Sequence, residues 1–133
     1  MELQIKAIIE ILGTPKEHVE ETLQKVLTEL GNRKGVTILS KEIAETKQLE
    51  KFFSTYVDVE LKLTDMDKMI DICFDFLPSS IEILEPERIN VEAYKIAGFM
   101  NDLLAKLHQH SMIIRNLHAE NLLMKEQLKK IKK

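Results

Sequence analysis

Apolar residues change their spacing along the chain, and each change marks an element. In ELQIKAIIEIL, residues 2–12, Leu3, Ile5, Ala7, Ile9 and Ile11 alternate with Gln4, Lys6 and Glu10. Period two is the pattern of a strand with one buried face. Ile8 and Leu12 add apolar surface to the second side, which predicts that this side is partly covered. GTPKEHVEETLQKVLTELG then switches to helical spacing, with Val19, Leu23, Val26, Leu27 and Leu30 as the apolar stripe. Thr14 is expected at the N-cap, Pro15 at the first helical position and Glu17 as the end of a T-x-x-E capping box. Gly31 is the expected stop.

After GNRKG, VTILSKEIA reads as a second strand and STYVDVELKL as a third. Val57, Val59, Leu61 and Leu63 point one way, and Tyr56, Asp58, Glu60 and Lys62 the other. ETKQLEKF, between these strands, fits either a long hairpin loop or a helical turn. TDMDKMIDICFDFLP is a second helix, capped by Thr64, with Asp65 and Asp67 at its positive end. Met66, Met69, Ile70, Cys73 and Leu77 are expected inside, Pro78 ends the helix, and IEILEP is a fourth strand. The order β-α-β-β-α-β, joined by right-handed crossovers, predicts an α+β fold over residues 1–87. The expected form is a ferredoxin-like sandwich, with antiparallel strands in spatial order 4-1-3-2 and both helices on one face.

Residues 88–133 read differently. From about Val91 one helix runs to the end, roughly 60 Å long at 1.5 Å per residue. A domain of this size cannot bury a helix of that length. Its apolar positions follow each other by steps of four and three, a heptad seam with a positions Ala93, Met100, Leu107, Ile114, Asn121 and Leu128. The expected oligomer interface is Ile96, Met100, Leu103, Leu107, His110, Ile114, Leu117, Asn121, Met124 and Leu128. Asn121 at an a position fixes register in many parallel dimers by pairing with its own copy, and Glu120 would then face Lys125 between chains. Phe99, Leu104, Ile113, Leu122 and Leu123 broaden the stripe, as in a helix that lies on an open sheet or joins more than one other helix. Parallel and antiparallel pairing, a dimer or a tetramer, and a fold back at Gly98 onto the chain's own sheet all fit this pattern.

Composition narrows the function classes. The chain has 133 residues, 44% hydrophobic and 31% charged, enough for one domain and an appendage. A formal charge of −3 argues against a general nucleic-acid binder, and Tyr56 alone is too little aromatic surface for an RNA-stacking sheet. Cys73 is the one cysteine, which suits a reducing compartment. MELQIKAIIEILG has no cationic segment before a long apolar block, and no apolar run nears the ~20 residues of a membrane helix. A cytoplasmic location without membrane attachment is expected.

Three of the four histidines fall in LHQHSMIIRNLH, but their spacing defeats a metal clamp. His108 and His110 are two apart, about 200° around a helix, and His110 and His118 lie roughly 12 Å apart along its axis. No catalytic, cofactor or metal residue is expected. His110 instead sits in the seam, where protonation against its own copy would weaken assembly. Asp58 and Glu60, interleaved with lysines, read as a charge ladder before they read as an acid pair. Lys125, Lys129, Lys130, Lys132 and Lys133 complement a helix C-terminus, or form a basic tip for an acidic partner.

Two resemblances carry further expectations. The topology, with LGTPKEH as its first strand–helix loop, resembles that of ACT domains, regulatory modules in which a glycine-bearing loop helps bind amino acids at a subunit interface. That resemblance implies Gly13, Thr14, Pro15 and Lys16 as a ligand loop, although the proline here follows Gly13–Thr14 and does not precede a glycine. FLPSSIEILEPE, followed by a long helix containing AENLLMKEQL, resembles a small family of uncharacterised archaeal proteins. It implies the fold, a cytoplasmic location and oligomerisation, and no activity. The expected function is therefore a non-enzymatic homo-oligomeric assembly protein open to a protein partner, the alternative being an ACT-like small-molecule-binding module.

Overall fold

In the computed structural model, which describes residues 1–132, the elements follow in the order β1 (Leu3–Gly13), α1 (Lys16–Asn32), β2 (Val36–Ile43), β3 (Lys47–Leu49), β4 (Phe52–Leu63), α2 (Met66–Phe76), β5 (Ser80–Glu85) and α3 (Ala93–Ile131). The fold is α+β: an antiparallel sheet, two helices packed against it, and a long C-terminal helix. Strands lie in the order β2-β4-β1-β5, with β3 also pairing β4. Chain contacts divide the protein into two compact units, Met1–Ile89 and a second beginning at Asn90.

The core follows from the alternation on β1 and β4. Their register sets Leu3 beside Leu63, Ile5 beside Leu61, Ala7 beside Val59 and Ile9 beside Val57, so over these four pairs one face of the central strands is apolar. All eight side chains are buried. Leu23, Leu27 and Leu30 of α1 and Ile72 of α2 join the same cluster, so both helices cover that face. Removing such side chains from water supplies the main stabilising term, roughly 1.5–3 kcal/mol for each large aliphatic. At the far ends of the helices Arg33 bonds Asp75 at 2.7 Å and lies 4.6 Å from the Phe76 ring centre, tying α1 to α2.

Local details depart from the sequence expectations. Pro15 itself is the N-cap of α1, with extended backbone and no side-chain cap, so Thr14 stands one residue too far out and the capping box does not form. Gly31 does not stop the helix, which continues to Asn32; the Arg33 amide bonds the Leu30 carbonyl instead. The glycine that the turn requires is Gly35, at φ 82°, where a Cβ would come within 2.6 Å of Thr64 Oγ1. In α2 the cap is Asp65, whose carboxylate accepts from the Lys68 amide at 3.1 Å, and not Thr64.

The buried face of α2 is also turned from the expected one. Ile72 is its fully buried residue, with Met66, Met69 and Phe76 packed on the core, whereas Ile70 and Cys73 are half-buried. Leu77 lies outside, 60% exposed, in a left-handed C-terminal position at φ 47°. ETKQLEKF is neither long loop nor helical turn: β3 pairs back on β4 through a tight turn at Glu50 and Lys51, with Glu50 at φ 56°. On the second sheet face Ile8 is half-buried while Leu12 is open to solvent.

Two substitutions test this account by chemical denaturation. Leu61→Ala should cost about 2–5 kcal/mol, the range for emptying a closed aliphatic core. Leu77→Gly should raise stability by up to about 1 kcal/mol, because a left-handed leucine is strained and its exposed side chain contributes little packing.

Candidate assembly interface

The long helix α3 is built from residues that favour the conformation, with leucines, lysines, methionines and alanines and no proline between Ala93 and Ile131. Amides of Lys95 and Ile96 bond the carbonyl of Glu92, which opens the helix without a side-chain cap. Lys129 and Lys130 occupy the last turn, where cations complement the unpaired carbonyls. Lys133 lies outside the described residues. The helix has 39 residues, about 58 Å, and runs through Gly98 unbroken, so the chain does not fold back there.

None of these 39 residues is buried. The seam is the conspicuous part: Ile96, Met100, Leu107, Ile114, Leu117, Met124 and Leu128 are all exposed, Ile114 to 65% and Leu117 to 59%. Leu103 is half-buried. His110 and Asn121 lie on the same line and are also exposed. Soluble proteins seldom leave a contiguous apolar surface of this extent in water, and such surfaces mark interaction sites. The helix brings the expected interface residues onto one face by its own periodicity, with no loop or long-range fold needed.

The other expected sites look different. Gly13 closes β1 opposite Phe53, takes no left-handed conformation, and a Cβ there would touch Val19 Cγ2 at an ordinary 3.5 Å. Nothing in the backbone at Gly13, Thr14, Pro15 and Lys16 demands a glycine for ligand approach. Beside this loop α1 and the chain after β2 enclose a groove of about 740 Å³. Its rim carries Glu17, Glu20, Glu21 and Glu45 against Lys16 and Lys25, which opposes an anionic ligand. Thr55 on its floor is buried, and its hydroxyl donates to the Ala44 carbonyl at 2.8 Å.

On the second sheet face Lys6 bridges Asp58 at 3.3 Å and Lys62 bridges Glu2 at 3.5 Å, so Asp58 is tied into a ladder of opposite charges. The hydrogen bond and charge of Asp58, helped by Glu82 and Glu60, push the Lys6 ammonium above its ordinary range. Burial alone pushes the Cys73 thiol up, away from reactivity at neutral pH. Among the described residues no group of three or more His, Cys, Asp or Glu could hold a metal ion. His108, His110 and His118 stay spread along α3. Among the described residues no helix is long and apolar enough to cross a membrane.

Sequence reasoning did not foresee the groove, because it forms only where the β2–β3 connection comes back over α1. Thr46 Oγ1 donates to Glu20 at 3.1 Å across it, and neither residue carries a recognisable motif.

These features define a class: an antiparallel α+β domain followed by a long helix with an exposed heptad seam. The chain belongs to the MJ0538 family, whose family model matches residues 4–133. This agrees with the resemblance carried by FLPSSIEILEPE and AENLLMKEQL to an uncharacterised family. No curated protein and no solved structure matches the chain.

The Lys6 bridge gives a pH prediction with a definite sign. A raised folded value means the bridge contributes fully at neutral pH and is lost only as pH climbs through that value, above the ordinary 10.5. Wild type and Lys6→Gln should therefore differ in denaturation midpoint at about pH 8, and the difference should shrink as pH rises above the ordinary lysine value of 10.5.

Proposed function

We propose that this is a non-enzymatic assembly protein: a ferredoxin-like domain multimerised by α3, with the multimer presenting its domains to a protein partner. The observation that carries the reading is the seam of α3, exposed from Ile96 to Leu128 in heptad spacing except at the half-buried Leu103. Each large apolar seam residue taken out of water returns roughly 1.5–3 kcal/mol, and several such residues exceed what holding two chains together costs. The strand order β2-β4-β1-β5, with two helices on one face, supports a ferredoxin-like sandwich in which β3 is an addition to the hairpin. On the second sheet face Asp58 is engaged with Lys6 and Glu2 with Lys62, and this supports a solvated charge ladder there in preference to an acid pair for catalysis. We take the protein to be cytoplasmic, a reading supported by its single, half-buried cysteine.

Sedimentation equilibrium tests the assembly. The full chain should be a stable oligomer at micromolar concentration, and Leu107→Lys with Ile114→Lys should be monomeric while keeping its helix content, since lysine favours helix. A monomeric wild-type chain, or a double variant of unchanged mass, would remove the reading.

A further inference from the structure

We infer that α3 pairs with the α3 of a second copy of this chain in parallel and in register. The inference rests on the assembly reading above and adds the identity of the partner and its direction. It comes from where the two polar seam residues, His110 and Asn121, must be placed when two such helices meet.

Three arrangements bring the seams together. In a parallel pair each a residue meets its own copy and each d residue meets its own, so Asn121 faces Asn121 and His110 faces His110. Every a and d layer from Ala93 to Ile131 is then used. In a fully overlapped antiparallel pair a meets d, and Asn121 is set against Leu103 while His110 is set against Ile114. Both polar groups then enter the seam opposite aliphatic carbon, which leaves them without partners where water is excluded. An antiparallel pair slipped by one heptad sets Asn121 against His110, and so satisfies both. That slip strands Ala93 and Ile96 beyond the end of the other helix.

The flanking positions separate parallel pairing from the slipped one. Parallel g-to-e pairs put Phe99 on Leu104, Ile113 on His118 and Glu120 on Lys125, with no like charges opposed. The apolar residues that broaden the stripe at g and e, Phe99, Leu104 and Ile113, are covered by this arrangement. In the slipped antiparallel pair Glu120 faces Ile113 and Leu104 faces Lys125, so a carboxylate and an ammonium are each set on aliphatic surface. Full overlap antiparallel keeps one attractive pair, Lys106 with Glu120, but not the polar seam. Only parallel pairing satisfies the seam and the flanks together.

Two readouts test the direction. In a Cys73→Ser background, the double variant Met100→Cys with Met124→Cys is oxidised in a glutathione buffer and its disulfides are mapped by peptide mass. Parallel register predicts 100-to-100 and 124-to-124 links. Full antiparallel overlap holds residue 124 about 36 Å from its copy and predicts a 100-to-124 link instead. A 100-to-124 link, or no link in a protein that still sediments as an oligomer, overturns the inference and leaves the assembly reading standing. A monomer overturns both.

The second readout is pH. In the parallel pair the charged groups around His110 are its own copy and Lys106 of each chain, and no carboxylate occupies an a, d, e or g position from Leu103 to Leu117. Protonation there opposes like charges, so self-association should weaken about tenfold or more from pH 8 to pH 5. His110→Leu should abolish the response. A response that survives in His110→Leu, or none in wild type, overturns the paired imidazoles and with them the register.

Discussion

Pairing between β1 and β4 governs everything built in the first unit. Two long neighbouring strands share one register, and because side chains alternate, that register alone decides which residues meet the helices. A slip of β1 by one residue would turn Leu3, Ile5, Ala7 and Ile9 to water and set Gln4, Lys6 and Ile8 on the helix face beside Val57, Val59 and Leu61. The charge ladder on one face and the aliphatic core on the other are thus two consequences of a single alignment. The edges β2 and β5 inherit their places from it, each with a register shift, at Ile38/Ser40 and at Gln4/Ile5.

How much of this was legible follows the strength of each signal. Strands β1 and β4 and helix α1 repeat their pattern over many residues, so their faces could be read directly. In α2 apolar residues occupy Met66, Met69, Ile70, Ile72, Cys73, Phe74 and Phe76, with Leu77 directly after it. Several stripes fit such a run, and only packing against the sheet selects Ile72. Caps failed for a related reason: Thr14 and Thr64 each precede a second residue able to begin the helix, and the first hydrogen-bonded turn settled on Pro15 and Asp65. The short strand β3 has too few residues for a period to show. The heptad seam was the most readable feature of the candidate site, since a helix brings its face together without help from the rest of the chain.

The two units are stabilised by different means. The first closes its apolar surface on itself, with Thr55 as its buried polar residue and a hydrogen bond to satisfy it. α3 leaves most of its seam exposed, whereas α1 keeps its apolar stripe against the sheet. In the proposed pair a second chain would cover for α3 the apolar face that the sheet covers for α1.

Residues 90–92 join the first unit, whose Ile89 packs on its core, to α3 and span at most about 11 Å when fully extended. In a parallel pair the two tethers leave the same end of the rod. Each domain then samples a small volume beside its twin, an effective concentration in the millimolar range. A partner with two matching epitopes, each held only weakly by one domain, would be retained by the pair about 10²–10⁴-fold more tightly, provided its epitope spacing matches the reach of the tethers.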